Sequence, residues 1–193
     1  MVFQLVQAGY WMALSVWFGA AVFLAVAAGV IFRVLREQRP VLPQVLAVNL
    51  EDQHAVLLGS TVMAQLCRVL GRTQMVMAAA VVLGTLLHLF IADTNGTNFT
   101  AALFRIFLAV VAAGVLVYDR LLVFPRVQAA RQTYIDHADE PEVANPARDA
   151  FHRDQQLSLT LLMVQVALLA GLILFSSAIT PASALRVLTD GPA

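Results

Sequence analysis

The sequence has little charge and no lysine. Its 193 residues include twelve basic residues, all of them arginine, and twelve acidic ones. Charged residues make up 12% of the chain, where an ordinary soluble domain has about 25%. Because so few charges could not cover the surface of a soluble fold, and because 60% of the residues are hydrophobic, the composition predicts a membrane protein. The formal net charge is zero, so no nucleic-acid partner is predicted.

Cysteine is almost absent as well, since Cys67 is the one cysteine of the chain. A single thiol excludes an internal disulfide and a cysteine-cluster metal site. The sequence also has no phosphate-binding glycine loop and no nucleophile elbow. We therefore predict that the protein is not an enzyme.

Long apolar runs are what the sequence has in abundance. A hydrocarbon core of about 30 Å needs about 20 apolar residues of helix. Four segments meet that length, and they are too long and too uniform for strands. They are residues 10–32, 73–92, 99–118 and 157–179. The sequence therefore predicts one domain over residues 1–193, an all-α integral membrane bundle of four transmembrane helices.

The arginines predict the orientation of that bundle. Residues 1–32 carry no charge, and Arg33, Arg36 and Arg39 then follow the first apolar run, whereas a signal peptide would have its basic residues before that run. Five arginines lie in 33–72 and five in 119–156. Positive loops mark the cytoplasmic side. We expect a multi-pass protein of the bacterial inner membrane with both termini outside and these two segments in the cytoplasm.

Both cytoplasmic segments are expected to carry surface helices. Residues 43–70 are apolar enough for an interfacial helix, or for a cytoplasmic extension of span two kinked at Gly71. Pro125 suits the first turn of a helix that continues to about His137. Asn145 followed by Pro146 resembles a helix cap and first position, so the last helix is expected to begin there.

Small residues recur every four positions in each span. Since lipid offers no hydrophobic drive for helix association, such residues favour close helix packing. We predict that they form the interhelical faces. They are Ala21, Ala25 and Gly29 in span one, Ala80 and Gly84 in span two, Ala109 and Ala113 in span three, and Ala167 and Gly171 in span four.

A few polar residues lie within the spans and are candidates for function. His88, Asp93 and Arg105 are at similar depth near the outer end, where they could bind an anion or pass protons. The favoured interpretation is simpler, with Arg105 reaching outward to the headgroups and His88 beside them. Gln165 is near the middle of span four, and a structural interhelical hydrogen bond is the favoured role for its amide.

Two carboxylate–histidine pairs have the spacing of metal ligands. Glu51 and His54 are three residues apart, as are Asp149 and His152. Di-iron bundles combine two such pairs with two further inward glutamates, and no glutamate lies in any span here. His88 is the one histidine near a haem-binding depth. We therefore predict no metal and no cofactor, with these residues kept as candidate ligands.

Short motifs along the chain resemble a group of small four-helix bacterial membrane proteins similar to transmembrane protein 205. The matching positions are Trp17 and Gly19 near the start of span one, Phe32 and Arg33 at its end, Pro125 and Arg131 after span three, and Phe151, Gln155 and Ser158 before span four. Gln155 holds the position of a histidine in the group, and the usual proline near Gly29 is missing. The resemblance covers nearly the whole chain and implies the four-span topology, but no activity.

Three classes of function remain open. The favoured prediction is a non-catalytic accessory or assembly subunit of a larger membrane complex, with the lipid bilayer and other membrane-protein subunits as partners. The alternatives are a haem- or metal-handling membrane protein and a small transporter or channel. A transporter would need a hydrated path, which only Arg105, His88 and Gln165 are available to line.

Overall fold

A computed structural model of the chain describes residues 2–38, 54–92 and 99–177, and within these ranges the protein is helical with no strand. The elements are α1 (Val2–Gln38), α2 (His54–Ala92), α3 (Phe99–Tyr118), a π-helical turn (Asp119–Val123), α4 (Phe124–Asp136) and α5 (Pro141–Ser177). Four helical stretches in these ranges are long and apolar enough to cross a membrane. The predicted all-helical fold with four candidate spans is thus confirmed at that level.

The helices are longer than a membrane requires. At 1.5 Å per residue, α1, α2 and α5 each measure about 55 Å, and so does the run of α3, the π-turn and α4. A hydrocarbon core accounts for about 30 Å of that length. We distinguish the apolar half (residues 10–32, 73–92, 99–118 and 157–177) from the charged half (residues 33–38, 54–72 and 119–156).

The charged half continues the same helices. Of the two alternatives for residues 43–70, the extension of span two describes 54–70, because α2 is one helix from His54 through Gly71 to Ala92. Residues 39–53 lie outside the described ranges. The predicted helix opened by Pro125 is α4, in which this proline occupies the first turn.

The predicted start of the last helix at Asn145 and Pro146 is wrong. α5 begins at Pro141, and Pro146 lies inside it. The carbonyl of Glu140 accepts hydrogen bonds from the amides of Val143 (3.0 Å) and Ala144 (2.9 Å) and so opens the helix earlier. Tertiary packing stabilises this additional turn, because Ala144 is buried in a cluster with residues of α2 and α4.

The inward faces repeat every three and four residues. In α1 the fully or nearly buried positions include Tyr10, Leu14, Trp17, Ala21, Leu24 and Ala28. In α2 the same alternation passes through both halves. Its buried positions include Leu57, Ser60, Ala64, Gly71, Gln74, Ala78, Val81, Thr85 and His88. A repeat of 3.5 residues is the spacing by which long helices keep one seam toward their neighbours. One continuous seam therefore joins the apolar and charged halves.

The four-residue spacing of small residues marks this seam only in part. Ala21, Gly84 and Ala109 are buried, and Ala25, Ala113 and Gly171 are half-buried. Gly29, Ala80 and Ala167 are exposed, so they form no packed face with the other residues that the structure describes. The reason is geometric: at 100° per residue, each four-residue step rotates about 40° past a full turn. After two such steps from Ala21, Gly29 has left the seam and Ala28 has replaced it.

Candidate functional site

The π-helical turn sets the geometry of a polar cluster where the apolar and charged halves meet. The amide of Phe124 donates to the carbonyl of Asp119, which closes the wider turn. Pro125, one residue later, has no amide hydrogen and its ring crowds the carbonyl four residues before it, so a wider turn relieves the conflict. Asp119 and Arg120 are thereby placed between α2 and α5.

These residues form what we call the junction cluster: Gln74, Asp119, Arg120 and Ser158. Arg120 Nη2 donates to Gln74 Oε1 at 3.2 Å, and Arg120 Nε lies 3.8 Å from Asp119 Oδ2. Ser158 Oγ donates to the other carboxylate oxygen of Asp119 at 2.7 Å. The cluster therefore joins α2, the π-turn and α5 by hydrogen bonds between side chains.

Gly71 makes room for the arginine of this cluster. A Cβ atom at Gly71 would lie 3.2 Å from Arg120 Nε and 3.3 Å from its guanidinium carbon. Such a contact is tight enough to displace the guanidinium. The absence of a side chain at Gly71 is thus what lets Arg120 lie flat against α2.

A second polar cluster lies at the opposite end of the apolar half, and we call it the histidine–arginine cluster: Tyr10, His88, Arg105 and Ser176. Tyr10 Oη and Ser176 Oγ are 2.8 Å apart, which links α1 to α5. Arg105 Nη2 donates to His88 Nδ1 at 3.5 Å, and its guanidinium carbon lies 5.0 Å from the centre of the Tyr10 ring. The Tyr10 and His88 rings meet edge to face at 5.4 Å.

The position of Arg105 differs from the favoured interpretation of the sequence. Its side chain is 7% exposed and lies against Tyr10 and His88 in the bundle, rather than reaching outward. A cation over an aromatic face in a water-poor site is favourable, which stabilises the inward position. Asp93, the third member of the expected group, lies outside the described residues. The structure therefore brings two of the three predicted residues together and adds Tyr10 and Ser176.

Apolar side chains separate the two clusters. Fully buried leucine, valine and tryptophan side chains occupy the centre of the apolar half: Leu14, Trp17, Val81, Leu116, Leu169 and Leu172. Gln165 is also buried here, and its Nε2 has no hydrogen-bond partner among the described residues. The expected interhelical bond from this amide nitrogen is not present. Two polar groups, the Gln165 amide and the Trp17 indole, thus stand in an otherwise apolar core.

The candidate metal ligands do not converge in the described part of the chain. Asp149 is exposed and lies 3.5 Å from Arg148 Nε, while the ring of His152 lies beside that of Phe151. Glu51 and the side chain of His54 are outside the described residues. Among the residues described, no group of three or more histidines, cysteines, aspartates or glutamates could hold a metal ion.

Tyr10, Gln74 and Ser176 of the two clusters were given no role by sequence reasoning. Tyr10 served only as the start of span one, and Gln74 and Ser176 were counted as ordinary members of their spans. Gln74 is fully buried, as the polar residue of a span must be when it faces neighbouring helices. The same rule that singled out Gln165 would have found it. Gln74 was not singled out because it lies at the start of span two, and polar residues are common at the termini of spans.

Several residues that carry the family resemblance have packing roles. Trp17 and Phe151 are buried, Ser158 bonds to Asp119, and Arg131 Nη2 donates to Thr61 Oγ1 across α4 and α2. Gly19 is exposed, and a Cβ there would meet no atom of residues 2–38, 54–92 and 99–177 within 4 Å. Comparison with protein-family models, with curated proteins and with solved structures gives no match.

Proposed function

We propose that the protein is a non-catalytic accessory or assembly subunit of a larger complex in the bacterial inner membrane. In this proposal the apolar half spans the bilayer with both termini outside. The charged half projects about 25 Å into the cytoplasm as a continuation of the same helices. The resemblance to proteins similar to transmembrane protein 205 agrees with this topology.

The observation that carries the proposal is an outward face of α1. Ser15, Gly19 and Gly29 are exposed on it, and among the described residues no atom lies within 4 Å of the Cβ position of either glycine. Trp17, between the first two, points the other way into the core. Small residues on a lipid-level helix face let another helix approach closely. A face of this kind that the described residues leave open favours a partner helix.

The closed core favours this function over transport by a single chain. A conducting path needs polar or hydrated surface along its length. Here the two polar clusters are separated by buried leucine, valine and tryptophan side chains. The histidine–arginine cluster supports the alternative of an anion or proton site at one end of the bundle, but not a path between the two ends.

The test is purification from the native membrane in mild detergent, followed by mass spectrometry, with the variant Gly19→Leu. A leucine there meets open space among the described residues, so the fold should persist while the partner helix is excluded. We expect recovery of co-purifying subunits to fall at least about ten-fold, the equivalent of about 1.4 kcal/mol.

The matched control is Gly114→Leu, since Gly114 of α3 is also exposed and no atom of the described part of the chain lies within 4 Å of its Cβ position. Equal recovery from both variants, or a chain that purifies alone, would contradict the proposal. An absorption spectrum and a metal analysis of the same preparation test the alternative class, because a Soret band or bound metal would assign the protein to haem or metal handling.

A further inference from the structure

Beside the junction cluster, an open groove of about 390 Å³ runs along α2 toward the start of α4. Its lining residues are Cys67, Arg68, Gly71, Arg72, Met75, Val76, Arg120 and Phe124. Three of these eight are arginines, and apart from Cys67 the others have no ionisable side chain. We propose that this groove holds an acyl chain of an anionic phospholipid beside Met75 and Val76, with the phosphate headgroup at its rim against the exposed side chains of Arg68 and Arg72.

The charge of the groove is unbalanced in the described part of the chain. Arg68 and Arg72 have no carboxylate within 4.0 Å among the residues described, whereas Arg120 shares Asp119 with Ser158. Arg120 is held within the junction cluster, since its Nη2 donates to Gln74 and its Nη1 is buried. The exposed Arg68 and Arg72 are therefore the arginines that a phosphate can reach, and guanidinium donors match phosphate geometry.

The groove lies at the boundary between the apolar and charged halves, where a lipid headgroup is expected. Arg72 directly precedes the second apolar span, and Arg120 follows the third by two residues. Arg72 and Arg120 therefore lie where the apolar half gives way to the charged half, and Arg68 is one turn farther into the charged half. Val76 is exposed and one turn farther into the apolar half than Arg72. A headgroup at the arginines would thus place its acyl chain along apolar surface.

Charge and apolar surface together favour a lipid over a free anion. A soluble phosphate would interact with the arginines alone, while a phospholipid interacts with the arginines and also contacts Met75 and Val76. Basic pockets between helices on the cytoplasmic side are suited to anionic headgroups, and each arginine near such a surface contributes about 1 kcal/mol. The groove therefore has the chemistry of a phosphatidylglycerol or cardiolipin site.

The experiment measures lipid binding to the purified full-length protein by native mass spectrometry. Phosphatidylglycerol is titrated against phosphatidylcholine for the wild type and for the double variant Arg68→Gln/Arg72→Gln. Both side chains are exposed, so the fold should tolerate the change. We expect phosphatidylglycerol affinity to fall about five-fold for each arginine, and the wild type to prefer it over phosphatidylcholine.

The control is Arg33→Gln/Arg126→Gln, which removes the same charge from two exposed positions away from the groove. We expect this pair to lower affinity less than about three-fold, since only distant attraction is lost. Equal losses in the two double variants, or equal binding of phosphatidylcholine by the wild type, would overturn the proposal.

Cys67 provides a second measurement that does not depend on any arginine variant. It lines the groove and is the one thiol of the chain, so its alkylation by a maleimide reports occupancy. Phosphatidylglycerol should slow this reaction, and phosphatidylcholine should not. Protection by inorganic phosphate alone to the same extent would replace the lipid with a free-anion site, and an unchanged rate with phosphatidylglycerol would refute binding in the groove.

Discussion

The apolar and charged halves lie along the same four helical stretches but pack by different means. The apolar half has one large cluster of buried residues, with contributions from α1, α2, α3 and α5. The charged half has smaller clusters, one of them made of Leu57, Tyr134 and three alanines. Large apolar side chains also cover the outside of the apolar half, for example Met12, Leu83 and Phe107. Inward and outward faces therefore differ in chemistry only in the charged half.

This difference implies different stabilising forces. In water, burying an apolar side chain is favourable by about 25 cal/mol per Å². In lipid the outside is as apolar as the core, so close packing and hydrogen bonds between helices remain. If the charged half lies in water and the apolar half in lipid, matched substitutions in the two halves should lower the free energy of unfolding by unequal amounts.

The largest effect is expected from Leu57→Ala in the charged half. Leu57 is 1% exposed, and removal of its side chain should lower the free energy of unfolding by about 2–5 kcal/mol. The matched variant is Leu169→Ala, since Leu169 is fully buried in the apolar half. Its free energy of unfolding should fall by less, because no transfer of the side chain from water is involved. Denaturant titration in lipid bicelles measures both. Equal losses would contradict the assignment of the two halves to water and lipid.

A smaller effect is expected at the junction cluster. Ser158→Ala removes the hydrogen bond to Asp119, and bonds to charged groups contribute about 1.5–3 kcal/mol. The control is Thr160→Ala, whose hydroxyl bonds to the Gln156 carbonyl of its own helix. Thermal unfolding in detergent should separate the two variants. If Thr160→Ala lowered the stability as much as Ser158→Ala, the bond between helices would stabilise the protein no more than a bond within one helix.

The smallest effect is expected at the histidine–arginine cluster. Tyr10→Phe keeps the ring beside Arg105 and removes only the hydroxyl that contacts Ser176. Hydrogen bonds between membrane helices average about 0.6 kcal/mol, so the loss should be of that order. Tyr118→Phe, at an exposed tyrosine of α3, serves as the reference. A loss above about 2 kcal/mol would exceed the range of such bonds and would indicate that the Tyr10 hydroxyl supports the whole cluster.

Much of the fold could be predicted from the chain, and the errors have physical causes. The four apolar runs predicted four candidate spans, since few other structures use apolar stretches of that length. The start of α5 was misplaced because Asn145–Pro146 is a good local signal. Contacts of Ala144 with distant residues of α2 and α4 outweigh it.

The candidate sites could be predicted less well. His88 and Arg105 were singled out because polar residues in spans are rare, and the structure places them together. Tyr10, Gln74 and Ser176 were missed because their partners lie on other helices, which no local spacing reveals. The groove was missed for the same reason: Arg68 and Arg72 belong to α2, while Arg120 comes from the π-turn.

The sequence by itself determined the composition of each segment, and hence which segments are apolar enough to span a membrane. It also determined where the charges lie, because hydropathy and charge are properties of each residue. Only the tertiary structure decided which face of each helix is buried, since inward and outward residues of the apolar half are chemically alike. It also decided that Arg105 turns toward Tyr10 and that Arg120 meets Gln74 across Gly71, because these contacts depend on how separate helices pack against one another.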